Sequence, residues 1–253
     1  VVTSFLNGQL WLTTKANLDK DKLFLPILMY YDDFESCNPL GSKSGIYKIG
    51  AVYVSLACVP PQYLSLLENL FLAELFHSSD KSLYGNKKIF EKLIDEFIFL
   101  ETEGITVTVN AKLVKVYFKL MLVLGDNLAL NSVLGFQESF NSNYFCRICK
   151  SSKEETKTQI IENSISLRTK ENYSDDLTLK RYGVKEECVF HRIPHFNVSQ
   201  NVSCDLMHDV LEGICRYEMS LILDNLINKK KYFSLERLNN RIKYFKFSES
   251  EIG

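Results

Sequence analysis

The sequence predicts an α/β fold built on a mixed sheet, and three observations carry that expectation. An apolar, aromatic-rich run over residues 24–31 stops abruptly at Asp32-Asp33. A strand-rich first part gives way to segments with helical periodicity after residue 60. Two further β-like runs, 105–109 and 114–124, then follow a helical stripe. Strands interleaved with helices in this way call for a sheet with helices packed on it.

Each element has its own reason. Residues 24–31 read as a buried strand with acidic groups at its C-terminal end. Residues 38–45 are turn chemistry, and 46–59 form a second β-rich run closed by Pro60-Pro61, so the two suggest a hairpin. Residues 64–76 carry apolar side chains at helical spacing, and 89–100 do so again, with Phe90, Leu93, Ile94, Phe97 and Ile98 in one stripe. Gly104 ends that helix, Ile105 to Val109 alternates as a strand, and a long apolar run stops at Gly125-Asp126. Residues 150–176 are polar with no apolar period and read as a mobile surface insertion. Residues 205–227 give the clearest helix, with Asp205, His208, Asp209, Glu212 and Arg216 on the arc opposite its apolar side chains.

Composition limits the function. The 253 residues are 46% hydrophobic, with seventeen Phe and thirteen Tyr, enough for a sizeable core. A net charge of −1 leaves no long-range pull toward nucleic acid, so any such binding relies on local patches. The seven Cys read as thiols of an intracellular protein, and no apolar run is long enough to span a bilayer. The start at Val1-Val2 and the polar end at Gly253 both read as cut.

Four groups of residues could carry chemistry. Asp32 and Asp126 each sit where an apolar strand-like run stops, where an open α/β sheet presents side chains to ligands. Two carboxylates there suit Mg²⁺, and the alternative is that they simply start loops. Cys146-Arg147-Ile148-Cys149 is half of a zinc site, which Cys188 and His191 could complete; buried thiols or a redox pair are the alternatives. Asp205 and His208 lie one turn apart on a helix, as a functional pair or as an N-cap on a solvated face. The basic, aromatic stretch 229–246 could follow a phosphate backbone or be a solvated amphipathic helix.

Taken in order, these motifs form a more specific pattern. Tyr30-Tyr31-Asp32-Asp33-Phe34-Glu35, Asn38-Pro39-Leu40-Gly41 and Lys48-Ile49-Gly50-Ala51-Val52-Tyr53 open it. Gly125-Asp126-Asn127, Gly135-Phe136, Ser139-Phe140, the CxxC at Cys146 and Cys149, and the run from Asp205 to Gly213 continue it. The chain resembles transposase-derived proteins related to the CACTA and Kyakuja–Dileera–Zisupton superfamilies of cut-and-paste elements, from about residue 20 onward.

The resemblance implies a ribonuclease H-like core with a DDE triad that binds Mg²⁺ or Mn²⁺. Asp32 matches its first aspartate, with Asp33 the near alternative, and Asp126 matches its second. It implies that Cys146, Cys149, Asp205 and His208 are the family's CxxC and DxxH motifs, with Zn²⁺ at the cysteines. His208 would contact the scissile phosphate or buttress the metal carboxylates. The implied organisation is a first part of the core at 1–145, a zinc-knuckle-like CxxC insertion at 146–203 and the start of a helical insertion at 204–253. The third carboxylate is expected beyond that insertion, which leaves Glu212 as the in-chain stand-in. The implied partners are DNA, as transposon ends and target, and further copies of the full-length protein, in the nucleus and without a membrane. The function expected is Mg²⁺-dependent DNA strand cleavage and transfer in the full-length parent, with this segment alone inactive. The alternatives are a domesticated or decayed relative that binds DNA or protein without catalysis, and an unrelated zinc-stabilised interaction module.

Overall fold

An N-terminal helix, α1 (Gln9–Ala16), buries its single tryptophan, Trp11. The apolar run after it forms β1 (Leu23–Glu35), which continues through Asp32 and Asp33 instead of ending at them. Pairing is the reason, because β2 (Lys48–Leu56) bonds to β1 antiparallel as far as Glu35 and Lys48. The structure is a computed structural model that describes residues 4–36 and 47–246, so the turn expected at 38–45 lies outside the described residues.

The helix expected over 64–76 is instead a single 3₁₀ turn at Leu67–Asn69 followed by β3 (Phe71–His77). The open edge of β2 takes up these residues as an antiparallel partner, and that ladder overrides the local spacing. Next come α2 (Ser78–Ile89), interrupted at Gly85, whose φ of 75° no helix accommodates, and α3 (Glu91–Thr102). The stripe expected on α3 is realised, with Phe90, Leu93, Ile94 and Phe97 all buried. Gly104 ends it at a φ of 65°, its N–H reaching back to the Phe99 carbonyl at 3.0 Å.

β4 (Ile105–Val109) and β5 (Lys112–Leu124) form a hairpin across Asn110 and Ala111. Both turn residues have positive φ, 50° and 62°, as a tight two-residue loop matched to strand twist requires. β5 then runs parallel to β1. The sheet order is β3-β2-β1-β5-β4, with β1–β5 the parallel pair and the other three pairs antiparallel. This is the mixed α/β sheet with flanking helices that the sequence predicts, and it is compatible with a ribonuclease H-like fold.

α4 (Asn127–Val133) follows β5 directly. The core lies between one sheet face, represented by Ile27, Met29, Tyr31, Val52 and Val123, and side chains of α3, α4 and the 136–198 region. Residues 150–176 are exposed across 157–165, as a surface insertion should be, but they are anchored on both sides of that stretch. They contain α5 (Lys153–Thr156) and α6 (Lys170–Thr178), each opened by a reciprocal capping box. Arg168, Tyr173 and Asp176 are buried, with the Asp176 carboxylate against Arg168 and Arg181. A charge cluster of this kind anchors a segment that looks merely polar in sequence. At Val202 the chain bridges in parallel to Val123, and the Val123 N–H reaches the Asn201 carbonyl at 3.0 Å. That short stretch fills the flank of β5 beyond its pairing with β4.

The chain divides into two units, Val1–Ser203 and Cys204–Gly253. In the second, the helix expected over 205–227 is present but unevenly wound. Leu206–Ile214 is a π-helix, α7 (Cys215–Asp224) is regular, and Asn225–Lys229 is π-wound again before α8 (Leu235–Lys243). The Cys215 N–H accordingly bonds to the Val210 carbonyl, five residues back. Among the described residues, no helix is long and apolar enough to cross a membrane.

Candidate functional site

The parallel register of β1 and β5 brings the two predicted aspartates side by side. The last pair in that ladder is Tyr30 with Leu124. Asp32 lies two residues beyond it on one chain and Asp126 two residues beyond it on the other. Gly125 allows the close approach, since a Cβ there would stand 2.6 Å from the Tyr31 carbonyl oxygen. Asp32 and Asp126 line one cleft of about 340 Å³, together with Asp33, Lys81, Ser132, Glu138 and Lys185. An open α/β sheet offers ligands a crevice at this end of its strands.

The three aspartates are held differently. Strand alternation puts Asp33 in the row of Met29 and Tyr31, and Asp32 in the opposite row with Tyr30. Asp33 is engaged by the protein. Its Oδ1 accepts from the Tyr31 hydroxyl at 2.8 Å and the Ser78 hydroxyl at 2.7 Å, and Lys81 Nζ stands 3.9 Å from its Oδ2. Asp126 caps α4, its Oδ1 accepting from the Ala129 N–H at 2.6 Å. Asp32 has its carboxyl pushed above the ordinary range by burial, and the nearby Asp126 and Asp33 carboxylates push the same way. The Asp33 N–H and the Tyr30 hydroxyl partly oppose that shift. Like charges gathered in a partly desolvated cleft resist ionisation, and a divalent cation relieves that cost.

Lys81 is the cation that approaches the aspartates of this cleft, 3.9 Å from Asp33. Its Nζ donates to the Tyr31 hydroxyl at 2.8 Å and to the Ser132 hydroxyl at 2.9 Å, and it lies 4.8 Å from the Tyr31 ring centre. Burial lowers its pKa, while Asp33, Glu138 and Asp126 support its charge. Lys185, on the same cleft, is bound to Glu138 at 2.7 Å.

The CxxC forms a tight turn. Cys146 Sγ accepts the N–H groups of Ile148 at 3.4 Å and Cys149 at 3.3 Å. The Cys146 thiol donates to Cys149, and that bond, with help from Ser151 and Arg168, draws the Cys149 thiol down. Arg147, between the two cysteines, is buried and ties the turn to the cleft, bonding Asn127 Oδ1 and the Ser203 carbonyl at 2.7 Å each. Cys188 and His191 do not complete a four-ligand set. Cys188 is buried in the apolar core, and burial pushes its thiol up to about 12. His191 Nε2 accepts the Val198 N–H at 3.2 Å, with its ring packed on Tyr173 and Phe196. Among the described residues, no three His, Cys, Asp or Glu side chains gather into a metal-holding group.

In the second unit, Asp205 caps the π-wound helix and grips His208 twice. One carboxylate oxygen accepts the His208 N–H at 3.1 Å, and the other lies 2.6 Å from the ring Nδ1. The N-cap expected from the sequence is present, and the same aspartate orients the imidazole. Glu212 is exposed one turn further along.

Sequence reasoning singled out Asp32, Asp33, Asp126, Cys146, Cys149, Asp205 and His208. It missed Lys81, Ser132, Glu138 and Lys185, which stand in no motif and reach the cleft only through tertiary packing. Compared with known proteins, the chain matches no family model and no curated protein.

Proposed function

We propose that this chain is part of a DDE-type DNA transposase, with a ribonuclease H-like core that supports Mg²⁺-dependent strand cleavage and transfer in the full-length protein. The observation that carries this reading is the equal two-residue step of Asp32 and Asp126 past the last β1–β5 pair. Mg²⁺ is held by one or two carboxylates, with water and substrate phosphates completing its shell, and this donor set fits that habit. Asp32 and Asp126 would hold Mg²⁺ or Mn²⁺. A metal bound there would stabilise the charge that develops on the phosphoryl oxygens during in-line displacement. Asp33 serves as the neighbour that fixes β1, because its Oδ1 already accepts from both Tyr31 and Ser78.

Cys146 and Cys149 are proposed as two ligands of a Zn²⁺ site, since their turn already aims two N–H groups at one sulfur. His208, oriented by Asp205, is proposed to contact the scissile phosphate. The partners in this reading are transposon and target DNA and further copies of the protein, in the nucleus. A second reading, a domesticated relative that binds DNA or protein without catalysis, fits the near-neutral net charge of −1 equally well.

Strand nicking with Mg²⁺ or Mn²⁺ separates the two readings. The full-length protein is expected to nick DNA only with metal and to lose that activity in Asp126→Ala, while the 253-residue segment stays inactive. Absence of metal-dependent nicking by the full-length protein favours the non-catalytic relative. Nicking by the segment alone, abolished by Asp126→Ala, would promote Glu212 to the third carboxylate.

A further inference from the structure

We infer that Lys81 is a positioning residue that ties the strand carrying Asp32 to the helix capped by Asp126. The inference rests on the reading of those two aspartates as metal ligands. Lys81 lies on the first turn of α2, and its side chain is only 12% exposed. One of its N–H groups goes to the hydroxyl of Tyr31, the residue before Asp32. Another goes to Ser132 on α4, whose N-cap is Asp126. The same Tyr31 supplies the carbonyl against which Gly125, the residue before Asp126, is packed. One ammonium thus joins three elements at the point where the two carboxylates meet. Both direct partners are neutral hydroxyls, and the nearest carboxylate oxygen of Asp33 is 3.9 Å away, so no single short ion pair consumes the charge. A flexible four-carbon stem ending in three donors suits this bridging role, which a planar guanidinium would not fill.

A simpler role predicts the opposite sign. If Lys81 were only a cation beside carboxylates, it would compete with a divalent metal, and removing it would tighten metal binding. If it positions the ligand carriers, removing it loosens the site, and metal binding weakens even though a positive charge has gone. Loss of a residue supporting metal ligands typically costs ten- to a hundredfold in metal affinity.

The test is Mn²⁺ titration, followed by electron paramagnetic resonance, of the wild-type chain, Lys81→Met and Lys185→Met. Lys185 is the matched control, a second lysine of the cleft bound to Glu138 rather than to either carrier. Lys81→Met is expected to weaken Mn²⁺ binding about tenfold or more, while Lys185→Met leaves it equal or tighter. A second readout needs no metal. The Ala129 amide, held by the Asp126 cap, should exchange with solvent about tenfold faster in Lys81→Met than in wild type, with the global melting transition as the folding control. Ser132→Ala, which removes one of the two bonds and is the milder change, should move both readouts the same way by less. Mn²⁺ binding in Lys81→Met as tight as wild type or tighter overturns the inference, and so does unchanged Ala129 exchange. If the wild-type chain binds no Mn²⁺, the metal-ligand reading fails, and Ala129 exchange alone decides the role of Lys81.

Discussion

Adjacent residues of one strand face opposite sides of the sheet, and for Asp32 and Asp33 that alternation separates two roles. Asp33 continues the row of Tyr31 and is bound by Tyr31 and Ser78. Asp32 is left in a partly buried position beside Asp126, where its ionised form is disfavoured. A carboxyl whose folded-state pKa is raised contributes stability below its unfolded value and loses it as pH rises through the folded value. At neutral pH, ionised Asp32 therefore weighs against the folded state. Asp32→Asn is expected to raise the melting temperature of the metal-free chain by about 2 °C at pH 7, with the gain fading below about pH 4. The same substitution is expected to lose Mn²⁺ binding. Thermal melts at the two pH values check the first part, and a drop in melting temperature at pH 7 would make Asp32 a structural residue. These aspartates could be picked out in the sequence because each follows a long apolar run, although β1 continues past Asp32 to Glu35. Lys81 was not, because its importance lies in reaching Tyr31, 50 positions away, and Ser132, 51 away.

At the scale of elements, legibility followed periodicity. α3, β4, β5 and the helix after Asp205 were readable because one apolar face or one strict alternation dominates each of them. β3 was not, since an edge strand with Phe71, Leu72 and Leu75 exposed has no clean period and is defined by its ladder with β2. The anchoring of the 150–176 region was not legible because the charge cluster that buries Arg168 and Asp176 looks merely polar in a linear sequence. Edge strand β3 also carries an unusual group. Glu74 lies beside Val52, its Oε2 is buried without a hydrogen-bond partner among the described residues, and burial pushes its pKa up to about 7. The sign is again that of a raised carboxyl, with stability present below the ordinary range near 4.5 and lost as pH rises through about 7. Glu74→Gln keeps the shape and removes the titration. Discounted for the half-exposed setting, it is expected to stabilise the chain by about 1 kcal/mol at pH 8 and by nothing at pH 4. Chemical denaturation at both pH values measures this, and an equal effect at the two would show that Glu74 is not a titrating burden.

Across the whole molecule, the charge is almost balanced and its distribution is not. The chain nets −1, and the cleft at the strand ends gathers Asp32, Asp33, Asp126, Glu138 and Glu186 against Lys81 and Lys185. Without metal, such a cleft repels a phosphate backbone, so the DNA binding proposed above would rest on other residues. Residues 229–246 supply the opposite sign, with Lys229, Lys230, Lys231, Arg237, Arg241, Lys243 and Lys246 against Glu236 alone. Within α8 and just past its end, Arg237, Asn240, Arg241 and Tyr244 follow helical spacing and line one groove, so two arginines leave the helix about 6 Å apart along its axis. A cationic face of this kind displaces condensed counterions from DNA, and each neutralised phosphate adds about 0.9 to the slope of log affinity against log salt. The chain is therefore expected to bind duplex DNA weakly, with little sequence preference and a steep salt dependence. Arg237→Ala combined with Arg241→Ala should reduce the slope by about 2 and weaken binding alike on unrelated sequences. Fluorescence anisotropy of a labelled duplex over a salt series provides the measurement. A slope unchanged by the double substitution would remove α8 from the DNA-binding surface, and affinity insensitive to salt would rule out phosphate contact as its basis.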